Sequence, residues 1–101
     1  MSTIFRAYAQ ESLTIANAVK IFTLATMEGA QDERPDRVQF QVEDAQIRFT
    51  LDGSDPTTTT GLIADVGDLV TIEGITDAKN FKAIRTGSTS AVIQPVYSTK
   101  E

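Results

Sequence analysis

A chain of 101 residues, 41% hydrophobic and 23% charged, has the size and balance of one globular domain, able to bury roughly two-thirds of the surface its unfolded form exposes. Its net charge of −5 and pI near 4.6 argue against phosphate neutralisation, and no apolar run is long enough to cross a bilayer, so neither nucleic acid nor membrane is expected as a partner. Cysteine and histidine are both absent, which removes disulfides, thiolate ligands, the usual base near neutral pH and the commonest zinc ligand; no enzyme activity and no cofactor are expected.

The opening MSTIFRAYAQES lacks the basic segment and apolar stretch of an export signal, so the chain is expected to remain unexported. Residues 1–12 read as an extended segment, with Ile4 and Arg6 alternating against Phe5, Ala7 and Ala9 in a short first strand. From Ser12 to Leu24, Leu13, Ile15, Val19 and Ile21 share one parity, interrupted by Asn17. A helical stripe through Leu13, Ala16, Ala18 and Val19 competes, but the β-branched residues and the lack of a cap favour a strand, or two short strands broken near Asn17. Residues 25–36, ATMEGAQDERPD, form a polar surface connection of about ten residues, longer than the usual loop. Val38, Phe40 and Val42 then alternate with Gln39, Gln41 and Glu43 as a half-buried strand. Glu43-Asp44-Ala45 makes a tight connection or a bulge into the next strand.

Residues 45–61, AQIRFTLDGSDPTTTTG, are the stretch around which the rest is organised. Ile47, Phe49 and Leu51 alternate with Arg48 and Thr50, and the strand ends in Asp52-Gly53-Ser54-Asp55-Pro56. There Gly53 can take positive φ, Asp55 can fold its carboxylate back onto backbone N–H groups, and Pro56 fixes φ, which predicts a rigid loop. Thr57 to Thr60 suit extended geometry. Gly67-Asp68 is a turn before the strand Leu69 to Glu73, and residues 75–80 connect it to a strand in which Phe81 and Ala83 share a face. Gly87 opens the turn before the last strand, Ala91 to Tyr97, whose Pro95 should lie at a sheet edge or a bulge. Asp52, Gly53, Asp55, Pro56, Gly67, Asp68 and Gly87 are thus read as turn-shaping residues. Seven or eight short strands predict one all-β domain over 1–101, an antiparallel β-sandwich of immunoglobulin-like or jelly-roll-like type.

Little here suggests chemistry. Asp52, Asp55, Asp65 and Asp68 could in principle ligate calcium, but Asp before Gly or Pro is ordinary turn chemistry and the EF-hand spacing is missing. Asp52 and Asp55 as a glycosidase pair would need a sugar-holding cleft that a domain this small hardly offers. Gly61, Gly67 and Gly74 are not followed by the lysine and hydroxyl residue of a phosphate loop. Lys79, Lys82 and Arg85 make a basic strip that net acidity assigns to a solvated edge. The aromatic residues belong to core or interface, with Phe5 and Tyr8 able to anchor a partner. With Met27, Glu28 and Arg34 of the polar connection, they are the candidate partner contacts.

The order IRFTLDGSDPT, the Gly67-Asp68 turn with its strand, NFKAIRTG, and AVIQPVY, spanning Ala45 to Tyr97, resembles small β-rich virion structural proteins of tailed bacteriophages. The resemblance implies a non-enzymatic component of the virion, assembled in the host cytoplasm. Its implied role is a capsid decoration or cement protein binding the major capsid protein as a homo-oligomer, such as a trimer; a head–tail junction or tail structural protein is the other placement. FTLDGSDPT is also similar to the strand and loop of immunoglobulin-like domains that accompany chitin- and hexosamine-degrading enzymes. That likeness supports the sandwich and makes a carbohydrate- or receptor-binding accessory or fibre domain the rival function, against which the lack of tryptophan weighs.

Overall fold

The alternating segments become strands in a computed structural model that describes residues 4–28 and 35–100. In chain order they are β1 (Phe5–Gln10), β2 (Leu13–Ile15), α1 (Leu24–Glu28), β3 (Arg37–Glu43), β4 (Ile47–Thr50), β5 (Leu62–Ala64), β6 (Leu69–Glu73), α2 (Ile75–Asn80), β7 (Lys82–Arg85), β8 (Ala91–Ile93) and β9 (Val96–Lys100). They form two antiparallel sheets: a six-stranded one in the order β1-β9-β3-β8-β2 with β6 also on β3, and a three-stranded one in the order β5-β4-β7. The fold is an all-β sandwich.

Nine strands are named, yet two pairs are single runs. β3 meets β8 at Val42↔Ile93 and β9 at Val38↔Tyr97 in one unbroken register, so β8 and β9 are one strand interrupted at Gln94-Pro95. β1 and β2 pair with β9 and β8 in the same way, joined through the Glu11 N–H bond to the Pro95 carbonyl. Expected at a sheet edge or a bulge, Pro95 does not lie at an edge, and the register continues across it on both sides. It sits in an interior strand with its backbone turned toward the outer β1–β2 run, and the lost donor costs only the return bond to Glu11.

β3 is the centre of the larger sheet. Val38, Phe40 and Val42 are all buried, as their alternation requires, and Ile47 and Phe49 of β4 face them from the other sheet. Phe81 and Ala83, both fully buried, complete the second layer. Earlier segments depart from simple alternation for local reasons. A register shift between Ala7 and Ala9 flips the parity of β1, so Tyr8 and Ala9 are both half-buried. Beyond β2 the chain bends at Asn17-Ala18, and Lys20 forms a two-bond bridge to Ala83. The bend puts Phe22 in the core and leaves Val19 and Ile21 exposed, where one continuous parity would have buried them.

Two short helices occupy segments read as connections. α1 lies in the polar stretch and packs beside β1, burying Met27; α2 follows β6 and buries Ala78. Between β3 and β4 the chain reverses through a γ-turn. Ala45 N–H donates to the Glu43 carbonyl at 2.9 Å, and Asp44 takes φ 75° between them.

Candidate interaction surface

The loop after β4 is closed by Asp52, where the sequence suggested Asp55. Asp52 Oδ1 accepts both the N–H of Ser54 at 3.0 Å and its hydroxyl at 2.6 Å, and these bonds hold the Asp52 carboxyl below its ordinary range. Asp55, expected to make that closure, instead pairs with Lys82 Nζ at 2.9 Å across an exposed gap. Gly53 adopts φ +86° and Pro56 is buried. Thr57 and Thr60 bond to each other's backbone, so the threonine run is a turn where extended chain was expected. Arg48 on β4 pins that turn: Nε donates to the Thr58 carbonyl at 3.1 Å and Nη1 to the Gly61 carbonyl at 2.8 Å.

The pinned turn leads into β5 and a second, tighter turn. Asp68 N–H donates to the Asp65 carbonyl, Gly67 has φ +91°, and Gly67 N–H and the Asp68 carbonyl both bond Val42. Two residues thus face one, a bulge whose first position needs glycine. Asp68 Oδ2 also accepts the N–H of Asp65, and Asp65 Oδ1 accepts from Gln46. The four aspartates weighed as calcium ligands are each engaged by other groups of the protein, and no cluster of metal-binding side chains occurs among the described residues. Gly87 lies in an exposed bend with φ outside the positive region. The basic strip is dispersed: Lys82 meets Asp55, Arg85 donates to Ser90, and Lys79 is on α2.

The proposed partner contacts fall in different environments. The structure brings Tyr8 and Met27 together, the phenol donating to the Met27 carbonyl, but the Met27 side chain is 2% exposed and belongs to the core, so it offers no surface to a partner. Phe5 is half-buried beneath the Arg37 guanidinium, 3.9 Å from its ring centroid. Glu28 is exposed, and Arg34 lies outside the described residues.

Sequence reasoning missed a different surface. Leu62 at 57%, Ile63 at 50%, Val66 at 58% and Leu69 at 65% exposure follow one another from β5 through the bulged turn into β6. Beside Leu62 a shallow, mostly apolar depression of about 440 Å³ is floored by Phe49 and Leu51 and rimmed by Asp52, Ser54 and Thr60. Leu62 and Ile63 are adjacent apolar residues of opposite parity. Such a pair must either be covered on both faces or expose one, and that was the available signal.

Two other groups fix the frame. Tyr97 is fully buried; burial first, then its bond to the Glu11 carboxylate, push its phenol far above the ordinary value, so it remains a donor. Glu11 also accepts the N–H of Thr23 at 3.1 Å, tying β1–β2 to the segment before α1. Asp36 Oδ2 accepts the N–H of Lys100 at 2.7 Å and the hydroxyl of Thr99 at 3.1 Å, which lowers its carboxyl despite some burial. A folded-state value below the unfolded one, ~3.9, means that this stabilisation is present above the unfolded value and lost as pH falls through the folded one. Thermal melts from pH 7 to pH 2 should therefore show Asp36→Asn less stable than wild type at neutral pH, with the difference closing in acid; a gap independent of pH would contradict this.

No family model, curated protein or solved structure matches the chain.

Proposed function

We propose that the protein is a non-enzymatic structural component that works by adhesion to other proteins, as a capsid decoration protein seated on the major capsid protein through its β5–β6 side. The observation that carries the adhesive reading is the exposed apolar run Leu62, Ile63, Val66 and Leu69, flanked by a depression too open to hold a small substrate. Covering such side chains yields roughly 25 cal/mol for each Å² removed from water, a modest gain per copy. Repetition on a shell multiplies it, because copies held together engage neighbouring sites at high effective concentration. The virion setting is supported by the motifs between Ala45 and Tyr97 alone. The carbohydrate-binding reading is weakened because Phe22, Phe40, Phe49, Phe81 and Tyr97, on which sugar rings could stack, are buried in the core.

Mixing the protein with undecorated capsid shells and sedimenting them tests the proposal. Wild type should pellet with the shells, and Ile63→Asp combined with Leu62→Asp should weaken binding by roughly tenfold or more while leaving the fold intact, since both side chains are already half in water. Wild type that stays in the supernatant, together with binding to glycans, would install the rival reading.

A further inference from the structure

The larger sheet ends on β6, and its ladder decides which main-chain groups of that strand face outward. At one end Val42 donates to the Asp68 carbonyl; at the other Gly74 donates to the Asp36 carbonyl. Residues turned toward a neighbour alternate along an antiparallel strand. Asp68, Val70, Ile72 and Gly74 therefore turn their N–H and C=O groups to β3, while Leu69, Thr71 and Glu73 turn theirs away. β6 pairs with β3 alone, so this row of donors and acceptors has no main-chain partner among the described residues.

Edges of this kind are ordinarily blunted by charge, proline, a bulge, short length or a covering helix. The opposite edge has three of these devices: β1 carries Arg6, shifts register at Ala7/Ala9 and has α1 packed beside it. β5 is short, at three residues. β6 runs five residues with its bulge at the preceding turn, no proline, no lysine, and a charge only at its last position; α2 follows it and packs against both β6 and β3, yet Leu69, Thr71 and Glu73 remain exposed.

We propose that β6 pairs antiparallel with β6 of a second copy about a two-fold axis through Thr71. Only outward-facing residues can bond across the new junction, and this register is the one that uses all of them. Thr71 meets Thr71 of the second copy, Leu69 meets Glu73, and Glu73 meets Leu69, for about six main-chain hydrogen bonds. Moving the axis toward Glu73 loses bonds and brings the two carboxylates together; moving it toward Leu69 only loses bonds. Thr71 Oγ1 already accepts from Gln39 Nε2 at 3.2 Å, which leaves its hydroxyl hydrogen to point across the axis. The contact is isologous and closes on itself, giving a dimer in place of the trimer implied by resemblance. It requires no capsid partner, and although Leu69 belongs to both surfaces, Thr71 reports only on the dimer and Leu62 and Ile63 only on the capsid contact, so the two proposals fail separately.

Sedimentation velocity over a concentration series up to about 1 mM reads the equilibrium directly. Wild type should pass from monomer to dimer. Thr71→Lys places two ammonium groups across the axis and should raise the dissociation constant by about tenfold or more, with the loss relieved by salt. Leu69→Lys, which faces the partner's Glu73, should keep the dimer, and Leu69→Lys with Glu73→Lys should abolish it. Circular dichroism checks that each variant is folded, and the double variant replaces Thr71→Lys if that one is not. A wild type monomeric throughout, a dimer indifferent to Thr71→Lys, or Leu69→Lys as damaging as Thr71→Lys would overturn the proposal.

Discussion

Replacing Phe81 with alanine is expected to cost about 3–5 kcal/mol, a large part of the ~5–15 kcal/mol that stabilises an ordinary domain. Phe81 is fully buried just before β7 and touches both layers. Its ring stacks on Phe22 at 4.1 Å and 4°, meets the edge of Phe40 from β3 at 5.6 Å, and tilts against Phe49 from β4 at 5.9 Å. Phe22 in turn abuts Tyr97 of β9 at 5.6 Å. Removing the central ring takes away a hydrophobic side chain and several aromatic contacts at once, and the surrounding strands cannot collapse into the space without breaking their ladders. The midpoint of thermal unfolding should fall on the order of 20 °C. Leu62→Ala, at an exposed position, should stay within about 0.5 kcal/mol of wild type. Urea denaturation of both variants checks the contrast; a loss below about 1 kcal/mol for Phe81→Ala would mean that the cluster does not join the sheets.

Gly61→Ala should be the most damaging substitution among the described glycines, at on the order of 3 kcal/mol. Its φ of +123° is outside what side-chain-bearing residues readily adopt, and an added Cβ would lie 3.1 Å from the Phe49 carbonyl oxygen and 3.4 Å from the Phe49 nitrogen and Arg48 Cβ. These are atoms of β4, which cannot retreat without loosening the β4–β5 pairing. Gly67 also has positive φ, +91°, but open space around it, so Gly67→Ala should carry only the conformational cost of about 1–2 kcal/mol. Thermal melts of the two variants measure the difference. Equal losses would show that the close approach at Gly61 is not maintained in solution.

The clearest segments in the sequence were those with one covered face and an unbroken ladder. Val38, Phe40 and Val42 alternate because β3 is bonded on both sides and packed on one. Where the ladder is interrupted, alternation alone misled: the register shift in β1 reverses parity and no residue type announces it, whereas the bend at Asn17 falls where Asn17 itself suggests a break between two short strands. α1 and α2 are five and six residues long, too short for a helical period to register, and they form because Met27 and Ala78 fill space between elements. Asp52 and Asp55 flank the same Gly-Ser pair, so composition could not say which would close the loop. Lys82, 27 residues beyond Asp55, draws it away. The candidate surface was partly legible, since neighbouring Leu62 and Ile63 cannot both be buried in a strand covered on one face.

The amino-acid sequence by itself determined that the chain is a set of short strands punctuated by turns, because alternation and the backbone limits of glycine and proline act within a few residues. Tertiary structure alone decided which strand neighbours which: that the run containing Pro95 lies inside the larger sheet, that β6 ends it, and that an apolar stretch faces solvent. A strand's side-chain pattern reports the faces of its sheet, whereas its hydrogen-bonding edges carry the same groups at almost every residue and acquire partners only when distant segments meet.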